Sequence, residues 1–267
     1  MLAVERKDEM KYCLSMFPQR RNENSAFTLI ELLTVIAIIG ILAALLLPAL
    51  SRSMQRAHQI HCVNNLRQIG IGIQNFVTDN RVYPTFRGGS NDNDDNSGLW
   101  FRQIERGGFD DSKPKTNFFN DGVWLCPSAK VDFNYFTSYG YNTFGVAPIG
   151  HTGSISKMPQ NIPLGFEGFY NGRLPLIPVK ESEVASPNDM MAVGDSVVGG
   201  LDFMRQDLNY LEKHGASARH QGKLNVVFCD GHVESPTLQF LFEDTSDAAL
   251  SRWNRDHQPH REKLSPR

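Results

Sequence analysis

Residues 27–50 read Phe-Thr-Leu-Ile-Glu-Leu-Leu-Thr-Val-Ile-Ala-Ile-Ile-Gly-Ile-Leu-Ala-Ala-Leu-Leu-Leu-Pro-Ala-Leu, an apolar run interrupted by one carboxylate, Glu31. As a helix the run is about 36 Å long, enough to cross the hydrocarbon of a bilayer. A charge inside such a segment costs a few kcal/mol or more, so it marks a function and requires a partner. Two plainer readings compete. A secretory signal peptide would be cut near Ala49 to Ser53, and a simple anchor would not be cut at all. Both leave Glu31 without a purpose.

The helical pattern continues past the run. Ala57, Val63, Leu66, Ile69, Ile73, Phe76 and Val77 recur at three- and four-residue intervals with polar residues between them. That is one apolar stripe. The spacing predicts a helix from Phe27 to about Asp79, roughly 80 Å long, apolar all round in its first half and amphipathic in its second. Pro48 removes one backbone hydrogen bond and is expected to bend it, and Tyr83-Pro84 to end it. Gly70 and Gly72 cost up to about 1 kcal/mol each against Ala, which suits a face where another element packs closely.

The block Ala26-Phe-Thr-Leu-Ile-Glu31, with Pro48 downstream, resembles the N-terminus of type IV prepilins and of the pseudopilins of type II secretion. Ala26 stands where that family usually has Gly. The resemblance implies cleavage between Ala26 and Phe27 by a prepilin peptidase that also methylates the new amine. It implies that Glu31, fifth in the mature chain, aligns one subunit with the next in a growing filament. The segment from Cys62 to Pro84 resembles the second half of the pseudopilin helix. Retention of Glu31 favours a place in the filament shaft.

Composition fits this picture. A 267-residue chain with 40% hydrophobic content buries one substantial core. Without the leader 1–26, which carries Arg6, Lys7, Lys11, Arg20 and Arg21, 22 basic residues face 25 acidic ones. No basic field remains for nucleic acid. Arg20 and Arg21 favour a cytoplasmic leader; Met10 and Met16 are alternative starts. Cys13 leaves with the leader, and Cys62, Cys126 and Cys229 then face an oxidising compartment. Cys62–Cys126 is one possible bridge, which spacing alone does not establish. Cys229, inside an apolar run, reads as a small buried hydrophobe.

Residues 88–98 are a polar loop rich in Asp and Asn. Calcium would be the ion for such a loop, but counting from Asp92 the EF-hand places for Gly and Glu hold Ser97 and Gln103. A solvated loop is the better reading. Val123–Cys126, Tyr139–Asn142 and Met190–Asp195 read as strands or turn-rich strand ends, and 181–188 as a short helical turn or loop.

His220-Gln-Gly-Lys-Leu-Asn-Val-Val-Phe-Cys-Asp-Gly-His-Val-Glu predicts a strand over Asn225–Cys229, a two-residue Asp230-Gly231 turn and a return strand. A His followed by nine residues and Asp-Gly resembles the C-terminal element that accompanies prepilin-type N-termini, as does Trp253-Asn254. His220, Asp230 and His232 could together hold zinc. Alternatively, Asp230 belongs to the turn, His220 bonds a backbone group and His232 points to solvent. No Gly-x-Ser-x-Gly elbow points to a hydrolase.

The expected architecture is α+β and pilin-like. It comprises a leader (1–26), a transmembrane or filament-core helix (27–50), its amphipathic half (51–80), a globular domain with antiparallel strands including the 220–234 hairpin (81–252), and a mobile tail (253–267). The implied function is a non-enzymatic filament subunit of the bacterial inner membrane, with its C-terminal domain on the far side. Its partners would be the prepilin peptidase and N-methyltransferase, other pseudopilin subunits and membrane lipid, and it would need no cofactor. The alternative is a helix-anchored binding module for glycan or another envelope polymer. Its aromatic platform would come from Phe101, Phe118, Phe119, Trp124, Tyr135, Tyr139, Tyr141, Phe166, Phe169 and Tyr170.

Overall fold

The computed structural model describes residues 28–86, 99–107, 122–129, 138–146, 164–167, 177–196, 212 and 219–264. The cleavage positions Ala26 and Phe27, the polar loop 88–98, and Phe118, Phe119, Tyr135, Phe169 and Tyr170 lie outside them. Helix α1 spans Leu29–Asn80 and continues through Pro48. The chain divides into two compact units at Leu50/Ser51.

In the first unit every large apolar side chain from Leu29 to Leu50 is 46–82% exposed. Such a surface is uniform around the helix rather than striped, as in a segment solvated by lipid or by other helices. It is long and apolar enough to cross a membrane.

In the second unit, α1 buries Cys62, Leu66, Ile69, Ile73, Phe76 and Val77. The stripe begins one turn later than the periodicity suggests: Ala57 is exposed and Val63 only half-buried. The helix ends at Asn80, ahead of Tyr83-Pro84. Arg81 adopts a left-handed conformation (φ 59) and donates its N–H to the Val77 carbonyl at 2.7 Å.

Four antiparallel strands follow in the order β1 (Tyr139–Tyr141), β2 (Met191–Asp195), β3 (Val226–Phe228) and β4 (Val233–Glu234). Their two faces have different company. Val227 and Cys229 join the α1 stripe with Tyr139, Tyr141 and Val193 in one core. Val226 and Phe228 point the other way, with Met191, into a second core. That core is closed by α3 (Leu238–Phe242), α4 (Asp247–Leu250) and Trp253. The unbroken apolar run Val226–Cys229 is what a strand covered on both faces requires. An irregularity between Met191 and Val193 lets neighbouring residues Ala192 and Val193 both enter the α1-side core.

Two expected elements differ. Val123–Cys126 is not a strand. It is a 3-10 turn, Gly122–Trp124, seated against helix α2 (Trp100–Arg106), where Trp124 meets Trp100 edge-on at 5.6 Å. The tail from Trp253, expected to be mobile, is tied down through Leu264. Trp253 and Asn254 are fully buried. The Asn254 side chain accepts from the Val146 N–H at 2.9 Å and donates to the carbonyls of Leu250 and Gln258. Polar composition suggested a loose end, but these bonds to fixed backbone groups outweigh it.

Candidate functional site

At the N-terminal end of α1, Thr28 and Glu31 form a reciprocal cap. The Thr28 N–H and hydroxyl donate to Glu31 Oε2 at 2.9 and 2.8 Å, and the Glu31 N–H donates to Thr28 Oγ1 at 3.3 Å. This is a capping box, Thr-x-x-Glu, which satisfies donors at the helix start that have no intrahelical acceptor. Glu31 therefore has a local partner in the single chain, an arrangement visible in the sequence but overshadowed by the apolar context. Its other oxygen makes no hydrogen bond among the described residues, at an exposed helix end.

The second cluster surrounds His220. The chain reaches β3 through three consecutive left-handed residues, His220 (φ 45), Gln221 (φ 61) and Gly222 (φ 78). A non-Gly residue in this region costs on the order of 1–3 kcal/mol and persists where the surroundings enforce it. Here the backbone turns the imidazole inward. His220 Nε2 lies 3.3 Å from Asp195 Oδ2, both side chains being fully buried, and 3.4 Å from Cys126 Sγ. Asp195 Oδ2 also accepts the Asn225 N–H at 2.7 Å. The buried guanidinium of Arg219 feels burial, which lowers its pKa, and the neighbouring Asp195 charge, which supports its cationic form.

Cys126 is joined to Cys62 of α1 by a disulfide, their Cα atoms 5.1 Å apart and 64 residues apart in sequence. In the chain-entropy account a loop of that length is worth about 4 kcal/mol. Cys229 is buried without a disulfide partner, its thiol pKa pushed up by burial. Sequence reading placed Asp195 at a strand end but missed its role. The available hint was a carboxylate closing the apolar run Met190–Gly194.

Asp230 and His232 lie elsewhere. The Gly231 N–H bonds the Phe228 carbonyl at 2.9 Å and the Phe228 N–H bonds His232 O at 3.0 Å. The β3–β4 loop therefore has three residues, Cys229 to Gly231, rather than two, with Gly231 left-handed at φ 88. This is the type I turn followed by a left-handed residue that three-residue hairpins favour. His232 stacks on Phe228 at 4.4 Å, and its Nδ1 meets Asp230 Oδ1 at 2.5 Å. The zinc set of His220, Asp230 and His232 is thus corrected: β3 separates His220 from the other two, at its opposite ends. Among the described residues the one group of three metal-type ligands is Cys62, Cys126 and His220.

The turn instead serves α1. The Gln74 side chain donates to the Asp230 carbonyl, and a Cβ on Gly70 would lie 2.7 Å from Val227 Cγ2 and 3.3 Å from Gly231 Cα. Glycine at 70 permits this approach. Gln103, counted above as the last place of a calcium loop, is buried. It exchanges hydrogen bonds with the Thr85 backbone at 3.0 and 2.8 Å, so it is no ligand. Of the proposed aromatic platform, Phe101, Trp124, Tyr139, Tyr141 and Phe166 are all buried and pack in the core.

An apolar helix beginning with a capped Glu and continuing into a helix-on-antiparallel-sheet domain defines a pilin-like α+β chain. Comparison agrees at the helix. The prokaryotic N-terminal methylation motif matches residues 21–47. The chain is similar to type II secretion system core protein G of Vibrio cholerae serotype O1, with 28% identity over 127 residues, 45% of this chain and 82% of that protein. It is 35% identical to the Aeromonas hydrophila protein of that name and 33% identical to the Pseudomonas aeruginosa one. Those matches cover 25% and 26% of this chain, and about half of each relative, 46% and 49%. No solved structure matches the chain significantly.

Proposed function

We propose that the chain is a non-enzymatic pseudopilin, a filament subunit of a type II secretion or type IV pilus-like system. The precursor sits in the inner membrane with residues 1–26 in the cytoplasm. A prepilin peptidase cuts between Ala26 and Phe27 and methylates the Phe27 amine. Phe27 and Glu31 then direct assembly with neighbouring pseudopilins, the apolar helix moving from lipid into the filament core. The observation that carries this reading is the apolar half of α1, whose large side chains are all exposed, headed by Glu31 inside a matched methylation motif.

The chemistry follows from charge. Cleavage creates an amine that is cationic near neutral pH. Glu31 of an adjoining subunit offers it a carboxylate, and the pairing offsets the cost of burying both among apolar helices. Lipid is as apolar as Leu, so this pair and close helix packing set the register. The capping box adds a second duty for Glu31, which a suitable pair of variants separates. Glu31→Gln keeps the cap, since Gln serves in such boxes, but loses the charge; Glu31→Ala loses both. Both variants should insert and be cleaved yet fail to enter sheared, sedimented filaments. Normal incorporation of Glu31→Gln would remove the charge pair from the mechanism.

A further inference from the structure

We propose that the reduced protein holds one zinc ion on Cys62, Cys126 and His220, so that metal and disulfide are alternative clasps at a single buried point. The two sulfurs and a ring nitrogen lie within 4.8 Å of one another and are shielded from water. With zinc–sulfur bonds of about 2.3 Å and zinc–nitrogen bonds of about 2.05 Å, a tetrahedral centre needs a nitrogen–sulfur edge of about 3.5 Å. His220 Nε2 and Cys126 Sγ are already 3.4 Å apart. The sulfur–sulfur separation must grow, and reduction releases it.

His220 Nδ1 is buried and has no hydrogen-bond partner among the described residues, and neither has Asp195 Oδ1. The disulfide form therefore leaves polar capacity unused around the imidazole and its carboxylate. Nε2 faces Cys126 Sγ with Asp195 Oδ2 3.3 Å from the same nitrogen, so zinc on Nε2 takes the place of that contact. The left-handed run His220–Gly222 holds the imidazole there. Charge also balances. Two thiolates cancel Zn²⁺, and Asp195 lies beside Arg219, so the buried centre is neutral in both states.

The step is a two-electron reduction. An external dithiol breaks the sulfur–sulfur bond, closes its own disulfide and gives one proton to each cysteine sulfur; a phosphine does so by taking the oxygen of a water molecule, whose two protons go to the sulfurs. Zinc then displaces both protons. The disulfide joins α1 to the segment after the 3-10 turn, and zinc adds the approach to β3. Zinc would hold them before an oxidising compartment closes the disulfide.

The test uses the full chain in detergent, reduced with a phosphine under argon, freed of metal and titrated with Co²⁺ and then Zn²⁺. We expect a thiolate-to-cobalt charge-transfer band saturating at one Co²⁺ per chain and displaced by equimolar Zn²⁺, with no band from the oxidised chain. His220→Asn should weaken affinity at least about tenfold, while His232→Asn should match the parent. Because His220→Asn could unfold the chain, the reduced parent is also melted with and without Zn²⁺, and zinc should raise its Tm. No band from the reduced parent, an equal band from the oxidised chain, or a Tm indifferent to zinc would overturn the proposal.

Discussion

His260 is held by carboxylates at both ring nitrogens, Asp256 Oδ2 at 2.7 Å from Nε2 and Glu262 Oε1 at 2.9 Å from Nδ1. Burial pulls its pKa down, but the hydrogen bonds to Asp256 and Glu262 outweigh it and hold the imidazole above its ordinary value. A raised folded pKa means that the native state binds the proton more tightly than the unfolded chain. The resulting stabilisation is fully present below the unfolded value, near pH 6.5, and is lost as pH rises through the higher folded value. Urea midpoints measured between pH 6 and pH 8.5 should therefore fall more steeply for the parent than for His260→Gln. Parallel curves would show that this clasp contributes nothing. The sequence displayed the cluster of His, Asp and Glu in the tail, yet composition alone read it as mobile. What was illegible was that the buried pair Trp253-Asn254 anchors it.

At the scale of elements, the two helix glycines are predicted to differ. Adding a methyl at either gains up to about 1 kcal/mol of helix propensity. At Gly70 the methyl would press on Val227 and on the backbone of the β3–β4 turn. Overpacking of that kind costs about 1–3 kcal/mol, and backbone yields poorly. At Gly72 the one close atom is Ile104 Cγ2, at 2.6 Å, on a half-buried side chain that can rotate. Denaturant unfolding should rank Gly70→Ala clearly less stable than Gly72→Ala; the reverse order would contradict the close approach of turn to helix. Asn254→Ala should cost about 1–3 kcal/mol, because it leaves the buried Val146 N–H unpaired. A loss below the error of the same measurement would mean the tail bears no load. These elements were legible to different degrees. The α1 stripe and the strands over 139–141, 191–195 and 226–228 show in periodicity and apolar runs. The 3-10 turn at Gly122–Trp124 did not, because its apolar residues answer to partners on α2 rather than to a local repeat.

For the whole molecule, the sequence says most where physics leaves least choice. A 24-residue apolar run with one acid has few homes, and the exposed first half of α1 agrees with it. The domain was harder to read, because its second core depends on α3, α4 and Trp253 closing the far face of the sheet. No short-range pattern reports that pairing. Nor does local spacing reveal that His220 meets Asp195 and Cys126, 25 and 94 residues away in sequence. The account rests on the N-terminal processing of the chain, which intact and N-terminal peptide mass spectrometry of the protein from its native membrane tests most directly. It predicts a mature chain beginning at Phe27 with a methyl group on its amine. A chain beginning near residue 50, or one still carrying residues 1–26, would contradict it.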